Sequence, residues 1–233
     1  MTDIITIDAA DPEESGEGTV RSFSEPARRL MEAADRLFYA QGAAATTVRE
    51  ITAACGLTPG ALYNHFTSKD ELVFTLVRYR HAHLEDNVVR AQAAAGPDPA
   101  ARLAAIVGVY VRMHVGGREG AEVANREYRH LPGPQREEIV AIRRRLRDSM
   151  VAVLADGARQ GIFDVVGASD PGTVEEHRAL AITAATILDM CIHGASWLHR
   201  DGALDADGLA AHFTALALRL AGRRTAPPAT PPS

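Results

Sequence analysis

The sequence predicts an all-α fold: a small N-terminal three-helix domain of helix-turn-helix type, followed by a larger helical domain. Three observations predict it. Apolar residues recur at helical spacing from Leu30 to Leu220, and no alternating stretch of strand length interrupts them. Hydrophobic residues make up 46% of the 233 positions but aromatics only 5%, and the abundant Ala, Leu, Arg and Glu are residues that lose little rotamer freedom in a helix. Gly and Pro punctuate the chain at intervals that fit helix ends.

Leu30, Ala34, Leu37, Phe38 and Gln41 share one face of the first helix, and Gly42 stops it as a C-cap. Three shorter pieces follow, bounded by Gly56 and by Phe66-Thr67. A long helix spans about Lys69 to Ala95 and breaks at Gly96-Pro97-Asp98-Pro99. The next carries Leu103, Ile106, Val107, Tyr110 and His114 before Gly116-Gly117. Two more are separated by Leu131-Pro132-Gly133-Pro134; the second, about Pro134 to Gln160, has Ile139, Ile142, Leu146 and Val153 as its stripe, and Gly161 closes it. The final pair covers about Thr173 to His199 and Asp205 to Ala221. Four segments result: an acidic disordered arm at 1–23, the helix-turn-helix domain at 24–70, the second domain at 71–222, and a Pro-rich tail at 223–233.

The formal net charge of −5 argues against nucleic-acid binding only until it is located. Residues 1–25 hold seven acids and one base, whereas Pro26 to Arg80 hold seven Lys/Arg against five Asp/Glu. No stretch approaches the roughly 20 apolar residues of a membrane span. The N-terminus lacks the basic-then-apolar order of a signal peptide, so a cytoplasmic location is expected, with no membrane partner. Cys55 and Cys191 stand far apart without metal-like neighbours and read as reduced thiols. No metal or cofactor is expected. His81 and His83 point to different helix faces, and no phosphate loop or nucleophile elbow is present; an enzyme is not expected.

The most informative stretch is TTVREITAACGLTPGALYNHFTSKDEL, Thr46 to Leu72. Thr47-Val48-Arg49-Glu50 forms a capping box, Thr58-Pro59 places a hydroxyl at an N-cap and a proline at the first helical position, and Ser68-Lys69-Asp70-Glu71 forms a second box. Gly56 falls where a tight turn needs positive φ. Two short helices, that turn, and apolar Val48, Ile51, Ala54, Leu57 and Leu62 make a helix-turn-helix.

These residues closely resemble the DNA-binding signature of the TetR/AcrR family of bacterial regulators. The match comprises Thr46-Thr47-Val48-Arg49-Glu50-Ile51, Ala54-Cys55-Gly56-Leu57, Gly60-Ala61-Leu62-Tyr63-Asn64-His65-Phe66 and Ser68-Lys69-Asp70-Glu71-Leu72. The resemblance implies phosphate contacts at Thr46, Thr47, Tyr63, His65 and Lys69. Base readout would fall to Arg49, Thr58, Gly60, Ala61 and Asn64, where small Gly60 and Ala61 let the recognition helix approach the major groove. Phe66 reads as a core aromatic.

The same resemblance implies a second domain that binds a small-molecule effector and a homodimer made by the last two helices. The stripes Ile182, Ala185, Leu188, Ile192 and Leu209, Phe213, Leu216, Leu220, with alanines between, fit a four-helix interface across a two-fold axis. They fit an internal core as well. Polar intrusions into apolar helices nominate Tyr110, His114, Arg126, Tyr128, Arg129, Asp189, His193 and Trp197 as ligand contacts; Asp189 and His193, four apart, equally suit a core hydrogen bond. Asn125 to Leu131, the arginines from Arg136 to Arg147, Gln160 to Phe163 and Trp197 to Leu204 look like the branch controlling fatty-acid or steroid catabolism. That branch implies an acyl-CoA effector, with Arg143, Arg144, Arg145 and Arg147 available for its phosphates or simply forming a solvated face. The expected function is therefore a repressor that binds a near-palindromic operator as a dimer and is released by ligand. The alternatives are a drug- or metabolite-responsive repressor of an efflux operon, and a helical binding protein whose helix-turn-helix no longer engages DNA.

Overall fold

In the computed structural model, residues 23–168, 170–197 and 205–223 are described. The arm at 1–22, the tail from 224 and most of the Trp197 to Leu204 motif lie outside them. Among the described residues nine α-helices follow in order: α1 (Glu25–Gln41), α2 (Val48–Ala54), α3 (Pro59–Tyr63), α4 (Lys69–Ala95), α5 (Pro99–Gly116), α6 (Arg118–Glu127), α7 (Gly133–Arg159), α8 (Val174–Trp197) and α9 (Ala206–Leu220), with a 3-10 turn at Tyr128–His130. The described residues contain no strand. Between Gly42 and Thr67 there are two short helices rather than three pieces, because the third expected helix start, at Ser68, opens α4 itself.

The chain forms two compact units. The first joins 1–86 with 116–131, so α6 and the 3-10 turn belong with α1–α3 and the first part of α4. The expected boundary at 70/71 does not describe this division. The reason is packing: α1 lies against α2 and also against α6, and α2 lies against α3. Its core is Leu30, Phe38, Ile51, Leu62, Leu72 and Leu76, each at most 2% exposed; each such side chain contributes about 1.5–3 kcal/mol by leaving water. Phe66 is buried beside them.

The second unit joins 87–115 with 132–233. Leu103, Ile106, Ile139, Met150, Leu154 and Ile187 fill it, with α7 packed on α8 and α8 on α9. α8 and α9 come close at Gly194: a Cβ there would stand 2.5 Å from the Phe213 ring. The end of α9 is tied back by the Asp164 amide, which donates to the carbonyls of Ala221 (3.2 Å) and Gly222 (3.0 Å). Of the residues expected at a dimer interface, Leu188, Leu209 and Phe213 are buried within the unit, while Ile182 (60% exposed), Ala185 and Leu220 (41%) face outward. No helix among the described residues is long and apolar enough to cross a membrane.

Candidate nucleic-acid interface and sensor residues

The start of α2 is built as its sequence requires. Thr47 is extended, the Glu50 amide donates to its hydroxyl (3.2 Å), and the Glu50 carboxylate accepts from the Thr47 amide (2.7 Å), completing the capping box. The Thr47 hydroxyl also donates to that carboxylate (2.7 Å), so it is engaged on both sides. These bonds, the backbone one foremost, hold the Glu50 carboxyl below its usual range. α2 ends at Cys55, and Gly56 turns the chain at φ +67°. The Arg29 guanidinium donates to the Cys55 carbonyl (2.5 Å), and the Cys55 thiol in turn contacts the Arg29 carbonyl (3.2 Å). Burial pushes the Cys55 thiol up, as it pushes Cys191 up to about 12; both are free thiols, chemically inert in this state.

α3 begins with Pro59 at its first turn, but the Thr58 hydroxyl caps no amide. Thr58 occupies the N-cap by conformation alone, so its exposed hydroxyl is left for another partner. Gly60, Tyr63 (56% exposed), Asn64 and His65 are exposed, Ala61 is half-buried, and Arg49 is exposed on α2. His65 lies 3.5 Å from the Ser24 hydroxyl and against the Phe66 ring. The polar set expected for groove and backbone contact thus stands at the surface of α2, α3 and the turn after them. At the start of α4, Ser68 accepts the Glu71 amide (3.0 Å), while the Glu71 carboxylate reaches back to the amide and hydroxyl of Thr67.

Two of the ten expected DNA contacts are placed differently. Thr46 is 1% exposed, and its hydroxyl donates to the Gly42 carbonyl (2.8 Å). A phosphate contact from that side chain is not available, because the hydroxyl serves the turn after α1. Lys69 is half-buried, and its Nζ donates to the carbonyls of Ala43 (2.8 Å) and Thr46 (2.9 Å). It clamps the α1–α2 turn, with one of three ammonium protons remaining.

The expected ligand contacts do not fall in one unit. Tyr110 and His114 are buried in α5, their rings stacked at 5.8 Å, and His114 Nδ1 donates to the Tyr110 carbonyl (2.8 Å). Burial foremost, with the positive fields of Arg143 and His193, lowers the His114 pKa, against the Tyr110 bond that raises it. Asp189 and His193 do pair, at 3.3 Å, but their side chains are 75% and 58% exposed on α8, so the pair is not a core hydrogen bond. Trp197 ends α8, and its side chain lies outside the described residues. Arg126, Tyr128 and Arg129 belong to the first unit. Arg126 donates to the Phe38 carbonyl and pairs with Glu127 at 2.9 Å; Tyr128 meets His81 edge-on at 6.1 Å, and the Arg129 guanidinium lies 5.8 Å from the Tyr128 ring centre.

Sequence reasoning missed Arg29 and Glu127 as supports of the helix-turn-helix. For Arg29 one signal was available: α2 carries no basic residue in its last turn, and helix C-termini favour a cation; for Glu127 the sequence held none.

Comparison with known proteins agrees with this layout. Residues 30–76 match the family model described as bacterial regulatory proteins, tetR family. Residues 96–221 match the model described as tetracyclin repressor-like, C-terminal domain. The chain is 31% identical over 137 residues to the HTH-type transcriptional repressor KstR2 of Rhodococcus jostii, an alignment covering 58% of this chain and 66%, just under two thirds, of that repressor. A solved tetR-family regulator from Rhodococcus RHA1 shares 28% identity with a TM-score of 0.76, covering 87% of this chain and all of that one. AibR, solved in complex with isovaleryl coenzyme A and operator DNA, has the same fold at 23% identity and a TM-score of 0.71, covering 86% of this chain and all of that one. The chain belongs to the TetR family of bacterial regulatory proteins.

Proposed function

We propose that this protein is a transcriptional repressor that binds a near-palindromic operator as a homodimer and is released by a small-molecule effector, an acyl-CoA thioester. The observation that carries the DNA half is the exposed run Thr58, Gly60, Tyr63, Asn64 and His65, displayed by a short helix whose neighbours are firmly capped. Arg49, Thr58, Gly60, Ala61 and Asn64 read base edges, while Tyr63, His65, the Thr47 turn and the remaining Lys69 proton hold phosphates. Thr46 supports that turn from within.

Dimerisation through α8 and α9 is supported by the outward Ile182, Ala185 and Leu220. Two recognition elements then read half-sites about one helical turn of DNA apart or a multiple of it. The effector class is supported by the likeness to AibR, solved with isovaleryl coenzyme A, and to the repressor KstR2. In this reading, buried Tyr110 and His114 meet the polar part of the effector, and exposed Arg144, Arg145 and Arg147 with half-buried Arg143 supply charge for phosphates. Asp189, His193 and Trp197 remain candidates on α8. A ligand releases DNA only if it binds the free and DNA-bound conformations with different affinity.

The test titrates purified protein, bound to its operator, with short- and long-chain acyl-CoAs, free CoA and the free acids. Release by thioesters alone is expected. Operator affinity unchanged at saturating thioester would remove that class of effector, and release by unrelated hydrophobic drugs would favour the efflux reading.

A further inference from the structure

α1 ends without a cation of its own: its last turn holds no basic residue. The final carbonyls of a helix lack intrahelical donors and carry partial negative charge. Here the cation comes from α6. Arg126, 88 residues further along the chain, donates to the Phe38 carbonyl, the oxygen that also accepts the Gly42 amide at 2.8 Å. Its Nε holds the neighbouring Glu127 carboxylate at 2.9 Å, and that carboxylate, on a residue only 7% exposed, faces the Ala43 amide at 3.5 Å. A buried carboxylate is costly unless paired, so the Arg126 partner and the amide explain how Glu127 can sit there. Lys69 grips the carbonyls of Ala43 and Thr46 in the same turn. Residues 42–46 are thereby held by charged groups from α4 and α6, and they lead directly into Thr47, the N-cap of α2.

We propose that Arg126 and Glu127 are positioning residues for DNA binding. They fix the turn between α1 and α2, and so the placement of the helix-turn-helix, without touching DNA. The inference rests on the DNA-binding reading above. It also reassigns Arg126, whose residue type and apolar surroundings in sequence suggested a ligand contact.

The test uses the full chain with Arg126→Met, Arg126→Lys and the nearly isosteric Glu127→Gln. It combines amide hydrogen exchange with binding to a labelled operator duplex from 50 to 200 mM salt. Arg126→Met and Glu127→Gln are expected to speed exchange in residues 42–54 while leaving α7 unchanged. They are expected to weaken operator binding by roughly three- to tenfold, the scale of one ordinary hydrogen bond net of solvent competition. The salt slope should not change, since no phosphate contact is lost. Arg126→Lys should recover most of both. If Arg126→Met does not fold, Glu127→Gln carries the test. Wild-type exchange and affinity in Glu127→Gln would overturn the proposal. A slope reduced by about 0.9 in Arg126→Met would overturn it too, by making Arg126 a direct phosphate contact. If the wild type bound no duplex, the functional reading would fail, while exchange in 42–54 would still decide whether the two residues hold the turn.

Discussion

Replacing Lys69 by Met keeps the aliphatic stem and removes the ammonium, which has two separable jobs. Inside the protein it donates to the carbonyls of Ala43 and Thr46 at 2.8 and 2.9 Å. Hydrogen bonds to a charged group contribute about 1.5–3 kcal/mol each when well sheltered. Lys69 is half-buried, and discounting for solvent screening leaves about 1–2 kcal/mol for the clamp as a whole. For a chain of this size that lowers Tm by roughly 2–8 °C. Outside, the one remaining proton is proposed to meet a phosphate, and losing one such contact would flatten the log–log salt dependence of binding by roughly 0.9. Thermal melts and fluorescence anisotropy of an operator duplex between 50 and 200 mM salt measure both. The expected result is a lower Tm together with a shallower slope. A lower Tm with an unchanged slope would refute the phosphate contact and leave Lys69 a clamp alone. An unchanged Tm would refute the clamp.

Three further outcomes follow from the same structure. Gly194→Ala puts a Cβ 2.5 Å from the Phe213 ring and should destabilise the protein by about 1–3 kcal/mol, with Phe213→Leu recovering part of it; a melt at the wild-type temperature would show that α8 and α9 are less tightly joined than described. His114 has its folded pKa lowered by burial, so the unfolded chain binds the proton more readily. Its contribution is present above the unfolded value near 6.5 and is lost as pH falls below it; denaturant titrations from pH 7.5 to 5 should show a steeper loss in the wild type than in His114→Phe, and parallel curves would contradict this. Residues 1–22 carry six acids and one arginine, which leaves 24 charges of each sign in the rest of the chain. Deleting them should strengthen binding to unrelated duplex DNA at low salt, as read by anisotropy; equal affinities would remove the arm from the electrostatic account.

Much of the architecture could be read from local chemistry. Thr47 and Glu50 capped α2 as their spacing required, Gly42 and Gly56 took the positive φ their turns needed, and the Gly96 to Pro99 breaker separated α4 from α5. These signals act within a few residues, which is why they survive in sequence. What escaped was long-range. Arg126 meets Phe38 across 88 positions and Glu127 faces Ala43 across 84, and no periodicity encodes such a contact. For the same reason α6 and the 3-10 turn after it could not be assigned to the N-terminal unit, and Arg126, Tyr128 and Arg129 could not be separated from Tyr110 and His114. Thr46 and Thr58 show the converse limit. Two threonines in one motif have opposite fates, one buried as a donor to Gly42 and one exposed without a capping bond, because packing of the turn after α1 decides which hydroxyl turns inward.

The exposed set on α2 and α3 is proposed to read operator DNA as part of a dimer. The most direct measurement captures fragments of the source genome on the purified protein at physiological salt, sequences them, and footprints the enriched sites. The expected result is a near-palindromic sequence with two protected half-sites one helical turn, or a multiple of it, apart, lost together in a Tyr63→Ala, Asn64→Ala variant that keeps its fold. Recovery of fragments with no shared sequence, at the affinity of random duplex, would contradict it.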